Sequence, residues 1–344
     1  MRAAVLRGTR SITVEERPIP KVKAGEALVR IKAAAICGSD LHGYQGTWPD
    51  KRAVGLVMGH EVAGQIVEVD GQVKTRKAGD RVAIDPQLTC GGCDECLQGW
   101  PNICSNMKLM GSSARGAFDG GFAEYVAMPE KNLYPLPENL SFEEGAMIDP
   151  LANAIHLVNR AQLEVGGTVA IFGAGSLGLV LLQVAKVAGA GVVFVTDLSS
   201  YRLGMADSLG ADVCITAGKR DPVEIILEKT KGKGVDIAIE AVGIKESYGQ
   251  CISVVRKRGK VMALGNFEDF VNVELFRFVS RELSMIGCTG FSPKEIDRGL
   301  RLIASGKLNV KLLITHRLNL DQAQQAFEVL DGRKEDAMKI ILIP

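Results

Sequence analysis

The side chains best able to do chemistry in this chain are cysteines, and they are unevenly spread. Four of the eight stand in one stretch, Cys90-Gly-Gly-Cys93-Asp-Glu-Cys96 and then Cys104 after seven residues. Four thiolates this close can surround one tetrahedral Zn2+, and a closed four-sulfur shell is structural because it leaves no position for a substrate. An iron–sulfur cluster is the alternative for such a run. The bacterial ferredoxin pattern, however, sets its fourth cysteine three residues on and follows it with proline, which this chain does not. Structural zinc is the expected occupant.

A second group is more dispersed. Cys37-Gly-Ser39-Asp-Leu-His42 is followed, about 20 residues on, by Gly59-His60-Glu61. A soft thiolate, an imidazole and a carboxylate suit Zn2+, and a site with three protein ligands keeps one position open for water or an alcohol. Each residue alone has an ordinary reading: Cys37 ends the apolar run Ala33–Ile36 and could be a core residue. The combination, in a chain with only 4 histidines, points to a metal. Asp149 also has two readings. Followed by Pro150, it can be the N-cap of a helix with proline at the first helical position; equally, it can be a carboxylate of the site.

The third group is Gly173-Ala-Gly175-Ser-Leu177-Gly178, which follows the apolar strand Val169–Phe172 and opens a helix. A second strand ends at Asp197, 19 residues past Gly178, where a carboxylate can accept both ribose hydroxyls of an adenosine. Gly173 permits the tight turn, Gly175 lets backbone approach a pyrophosphate, and Gly178 allows close helix–strand packing. The helix N-terminus offers free N–H groups to the phosphates. Asp197 would repel a 2′-phosphate and so favours NAD over NADP. Arg202 could pair with such a phosphate or stack on adenine. Gly173, Gly175, Leu177, Gly178, Asp197 and Arg202 are thus the candidate cofactor-binding residues.

The elements that must hold these groups fall into two patterns. The first 150 or so residues are β-rich, as in Ala27–Ala33 and Glu61–Val69, with Gly and Pro turns between. From about Leu151 short apolar strands (Val169–Phe172, Val192–Thr196, Val235–Glu240, Lys260–Leu264) alternate with helical segments (Leu177–Gly189, Tyr201–Leu209), the mark of βαβ units and a parallel sheet. A helix over Pro293–Ser305, another near Leu320–Leu330 and a strand at Lys339–Leu342 close the chain. The expectation is an α/β protein: a β-rich domain of residues 1–152 and 291–344 with a metal lobe near 86–110, and a doubly wound domain of residues 153–290.

Composition narrows the function. In 344 residues, 41 Lys and Arg balance 40 Asp and Glu, a net charge of +1, so no basic excess drives binding to nucleic acid. The uncharged stretch Val169–Ala185 is rich in glycine and reads as a buried strand–turn–helix, not a membrane span. The first residues read as a strand and not as an export signal. A reducing, cytoplasmic setting is therefore expected, in which clustered cysteines bind metal before they form disulfides.

In this order, the segments resemble the zinc-containing medium-chain dehydrogenase/reductase family over essentially the whole chain: Cys37–Asp40, Gly59–Glu61, Gly79–Val82, Cys90–Cys104, Gly120–Tyr125 and Gly173–Asp197. One departure is a glycine usual soon after G-H-E, which stands one place later here, in Asp70-Gly71. The resemblance implies a GroES-like catalytic domain with a Rossmann domain, two zincs (one catalytic, one structural), NAD, and a homotetramer or homodimer. It implies that Cys37 and His60 ligate the catalytic zinc, with Glu61 or Asp149 as third ligand, and that Ser39 and His42 relay the proton of a substrate hydroxyl whose carbon gives hydride to the nicotinamide. The Cys37–His42 and Gly120–Tyr125 segments look like those of polyol and sugar-alcohol dehydrogenases. Asp149 and its surroundings, with Asp197 before Tyr201-Arg202, look more like L-threonine 3-dehydrogenases. A secondary hydroxyl on a polyol, sugar or related small alcohol is the first expectation and threonine the second. A non-catalytic zinc and nucleotide-binding interaction protein would have no need for an open Cys37–His60 site.

Overall fold

The computed structural model describes residues 1–48, 50–265, 270–332 and 336–344. The chain divides into two compact units, Met1–Ala152 with Ser292–Pro344, and Asn153–Phe291. Among the described residues no helix is long and apolar enough to cross a membrane.

The first unit is built on one sheet. Its strands run in the order Ile314–Asn319, Lys339–Ile343, Glu26–Ala35, Glu61–Val69, Arg81–Ile84 and Leu133–Pro135, and Tyr125–Pro129 also pairs with Glu26–Ala35. The central strand is antiparallel to neighbours from both ends of the chain: Ile341 stands opposite Ala35, and so does Glu61. A strand flanked by neighbours on both edges is covered on both faces, and Lys339–Ile343 is almost wholly buried. Around this sheet Val5, Ile31, Ile66, Phe122 and Phe327 form one core. The Phe122 and Phe327 rings meet edge to face at 5.9 Å. Asp70 and Gly71 make an Asx turn after Glu61–Val69: one Asp70 oxygen accepts the N–H groups of Gly25 at 3.0 Å and Gln72 at 2.9 Å.

The second unit is a six-stranded parallel sheet. Its order is Val213–Thr216, Val192–Asp197, Thr168–Phe172, Val235–Glu240, Val255–Ala263 and Ser284–Gly287. Numbered along the chain this is 3-2-1-4-5-6, with the reversal between the first and fourth strands where doubly wound sheets bind ligands. Helix Ser176–Val187 is buried over most of its length, which explains its largely apolar sequence without a membrane.

Two expectations need correction. Asp149 is not an N-cap. Helix Ile148–Ala161 follows Phe142–Ala146 after Met147 alone, so Asp149 lies inside its first turn, and the helix entry is made earlier by the capping box of Ser141 and Glu144. The strand expected at Lys260–Leu264 runs Val255–Ala263. Its first half carries exposed Arg256, Lys257 and Arg258 and so had no apolar signal to show.

Asp85, just past strand Arg81–Ile84, is buried with its carboxylate accepting the Gln87 N–H at 2.9 Å. Burial lifts its carboxyl to about 6, only partly offset by the Gln87 bonds and by Lys131. Between about pH 4 and 6 the folded chain therefore binds this proton better than the unfolded one, and stability falls as pH rises through that window. Asp85→Asn should add up to about 3 kcal/mol at pH 7.5, where Asp85 is ionised in both states. The gain should shrink towards zero near pH 3.5, as urea denaturation at the two pH values would show.

Candidate active site

Strand register assembles the first site. With Ala35 opposite both Ile341 and Glu61, the chain beyond Ala35 is flanked by Lys339 on one side and Glu61 on the other. Cys37 stands there as the N-cap of the short helix Gly38–Tyr44. The sulfur of Cys37, a ring nitrogen of His60 and a carboxylate oxygen of Glu61 all lie within 4.8 Å of one another. His60 and Glu61 are buried, at 6% and 1% exposure. Lys339 Nζ donates to both Glu61 oxygens, at 2.6 and 2.9 Å, and to the Ile36 carbonyl at 3.2 Å.

A second carboxylate stands behind the imidazole. Asp40 Oδ1 lies 3.4 Å from His60 Nδ1, an ion-pair distance that falls short of a formed hydrogen bond. Burial pushes the Asp40 carboxyl up, but His60 and Arg52 outweigh it and hold it below the ordinary value. At Asp149 the balance falls the other way. Burial, reinforced by Glu61 and Asp85 and eased by His60 and Lys339, raises its carboxyl to about 7. Ser39 and His42 are three residues apart on helix Gly38–Tyr44 and so share a face. Ser39 Oγ accepts from Arg52 Nη2 at 3.2 Å. His42 Nδ1 is 3.2 Å from Thr47 Oγ1, its ring lies 5.0 Å from that of Trp48, and burial lowers its pKa.

The four clustered cysteines also converge. Their sulfurs lie within 4.8 Å of one another, with Cys90–Cys104 at 3.5 Å and Cys93–Cys104 at 3.7 Å. Sulfurs about 2.3 Å from one tetrahedral zinc stand about 3.8 Å apart, whereas a disulfide would need about 2.05 Å. All four are free thiols. The loop is shaped for this by Cys93 at the N-cap of Asp94–Leu97 and Cys104 at the end of the 3-10 turn Pro101–Ile103. The N–H groups of Gly92 and Cys93 draw the Cys90 thiol down to about 6, towards the thiolate a metal requires.

In the second unit Gly173 has φ +104°, a conformation that favours glycine, and a Cβ on Gly178 would stand 1.9 Å from the Gly173 carbonyl oxygen. Nothing lies within 4 Å of a Cβ on Gly175, which leaves that approach open. Leu177 lies in the first turn of Ser176–Val187. Asp197 ends its strand with its oxygens accepting the N–H groups of Ala174 at 2.8 Å and Ser199 at 2.9 Å; Arg202 Nη1 lies 3.8 Å away. The acidic residue is thereby tied to the glycine turn itself.

A β-rich unit holding a mixed sulfur–nitrogen–oxygen trio and an all-sulfur centre, with a doubly wound unit carrying a phosphate-type turn, defines a metal- and nicotinamide-dependent dehydrogenase. Comparison with known proteins makes this particular. Residues 23–138 match the alcohol dehydrogenase GroES-like domain, and residues 176–305 match the zinc-binding dehydrogenase domain. The chain is 34% identical to sorbitol dehydrogenase of Bacillus subtilis, covering 100% of this chain and 97% of that protein. It is 35% identical to L-threonine 3-dehydrogenase of Bacillus velezensis, covering 96% and 95%. An alcohol dehydrogenase of Escherichia coli CFT073, solved with NADH, superposes with a TM-score of 0.92 at 29% identity over 100% and 99% of the two chains. The chain belongs to the zinc-binding alcohol dehydrogenase family, and it is an oxidoreductase of the medium-chain type with a GroES-like and a Rossmann domain.

Sequence reasoning missed Asp40, Arg52 and Lys339. For Lys339 a signal existed: a lysine inside Met338-Lys-Ile-Ile-Leu-Ile343 can be buried only against an opposite charge. Removing that lysine strands a buried carboxylate, at about 3–5 kcal/mol. Urea denaturation of the metal-free protein should show that loss for Lys339→Met and recovery of most of it in the double variant K339M/E61Q.

Proposed function

We propose that this enzyme oxidises the secondary hydroxyl of a polyol, sugar or related small alcohol, with NAD as the hydride acceptor. The observation that carries this reading is the convergence of Cys37, His60 and Glu61 apart from the sulfur-only centre. A mixed trio is the open, catalytic kind of zinc site, and four cysteines are the closed, structural kind. Cys37 and His60 would hold the catalytic zinc, with Glu61 or Asp149 completing the set, and Cys90, Cys93, Cys96 and Cys104 the structural one. When bound, the catalytic zinc supplies a Lewis acid that lowers the pKa of a hydroxyl, and the dinucleotide supplies the acceptor for hydride.

The chain's own groups do the rest. Ser39 Oγ accepts the hydroxyl proton and passes its own towards His42. That imidazole, its pKa lowered by partial burial, is the acceptor of the relay. Asp149, raised to about 7, is the second group beside the trio able to hold a proton near neutrality. In the other unit Gly173, Gly175, Leu177 and Gly178 receive the pyrophosphate. Asp197 accepts the ribose hydroxyls and disfavours a 2′-phosphate, and Arg202 borders the adenosine.

Oxidation of L-threonine is the second reading, favoured by aspartate at position 149 and by the 35% identity to a threonine dehydrogenase. NAD+ reduction followed at 340 nm against polyols, L-threonine and simple secondary alcohols separates the two. Polyol turnover is expected, and turnover of L-threonine alone would overturn the first reading. Metal analysis should find two zincs per chain, which a non-catalytic interaction protein would not need. Cys37→Ala should lose one zinc and all turnover while keeping its melting temperature within a few degrees. Retained activity would remove Cys37 from the site.

The same reading includes self-association as a dimer or tetramer in a reducing, cytoplasmic setting. It is supported by apolar side chains left open near the edge of the parallel sheet: Phe270, Leu275, Phe276 and Val279 are each 70% exposed or more. Light scattering should return the mass of two or four chains, and Phe276→Glu with Val279→Glu should lower it.

A further inference from the structure

Arg52 is a buried charge whose side chain is only 3% exposed. Its stem lies along Gly43 of helix Gly38–Tyr44, where a Cβ would stand 2.4 Å from Arg52 Cγ; glycine there opens the groove in which the arginine runs. The guanidinium reaches the first turn of that helix. Nη2 donates to Ser39 Oγ at 3.2 Å and lies 3.5 Å from Asp40 Oδ1, and Nη1 donates to the Lys51 carbonyl at 3.0 Å. Asp40 in turn is fully buried, accepts the Cys37 N–H at 3.1 Å, and stands 3.4 Å from His60 Nδ1. A single carboxylate therefore touches the backbone of one proposed metal ligand and the ring of another, and the permanent positive charge beside it is Arg52.

From this geometry we propose that Arg52 is a positioning residue for the metal site: by neutralising Asp40 it keeps that carboxylate in place behind His60 and Cys37. A carboxylate buried without a counter-charge withdraws towards water. That displacement would free the imidazole ring, whose orientation a metal site sets through the hydrogen bond of its second nitrogen. Lysine can replace the charge of Arg52, though it cannot span Ser39 and Asp40 with one rigid fork.

The inference rests on the reading that Cys37, His60 and Glu61 hold zinc, and the test separates the two. Zinc release from the loaded protein to a chromogenic chelator should show two phases, and the slower-exchanging sulfur-only centre serves as internal control. Arg52→Gln should speed release from the other centre about 10- to 100-fold, the usual effect of losing an outer partner of a ligand, and leave the sulfur-centre phase unchanged. Arg52→Lys should stay within about threefold of the parent, the charge being kept. In an Asp40→Asn background R52Q should add nothing, because the two act as one unit. If R52Q alone does not fold, the comparison of D40N with D40N/R52Q, the double variant leaving neither charge without its partner, carries the test, and the two should release zinc equally fast. A parent protein holding one zinc per chain would sink the metal-site reading. Two zincs with unaltered release from R52Q, or added acceleration by R52Q on top of D40N, would sink the inference alone.

Discussion

Glu61 and Lys339 meet in the interior of the first unit with two hydrogen bonds between them and almost no exposure on either side. That pair states the constraint under which the whole site is built. A metal centre of this kind needs thiolate, carboxylate and imidazole gathered away from water, and gathered negative charge is expensive in a medium that solvates it poorly. The fold answers with fixed cations at fixed distances. Lys339 stands on Glu61, and Arg52 stands on Asp40. Asp149, where burial outweighs the nearby charges of His60 and Lys339, shows the alternative outcome: its carboxyl is pushed up to about 7. The same low dielectric thus leaves Asp40 below the ordinary carboxylate range, where the neighbouring charges outweigh burial, and raises Asp149, where they do not.

The two centres in the first unit are held by different means. The sulfur-only lobe is local: four residues within one loop, shaped by a turn, one short helix and a 3-10 turn. The mixed trio is not local at all. It depends on the register of the central strand against two others, since a slip of one residue would turn Glu61 or Lys339 to the opposite face. In the second unit the constraint is steric. The helix after the glycine turn runs so near the Gly173 carbonyl that only hydrogen fits on Gly178, and Asp197 bonds back to the turn through Ala174.

Most of the architecture was legible because its signals are local. Apolar runs of four to six residues announced the parallel strands, and strand Val235–Glu240 was read with the bounds it has. Cys37, His60 and the cysteine cluster stood out because these residue types are themselves the chemistry. What stayed hidden was whatever depends on distant partners. Glu61 and Lys339 are 278 positions apart, and Arg52 finds Asp40 only once Gly43 has made room for it. The Asp149-Pro150 pair misled for the converse reason: it has the form of a helix start, but the chain is already helical at Ile148. Helix Leu275–Arg281 went unnoticed because its 7 residues make only about two turns, too short a run for an apolar repeat to stand out.

The placement of Lys339 also bears on how the molecule is made. It lies in a strand that pairs with Glu26–Ala35, and its own bonds reach back 303 positions to Ile36 and 278 positions to Glu61. Until that strand leaves the ribosome, Glu61 lacks its ammonium partner and the segment at Ile36 and Cys37 lacks one of its walls. A nascent chain can therefore complete the sulfur lobe long before the second centre exists, and the reactive pocket closes only once Lys339 has been made.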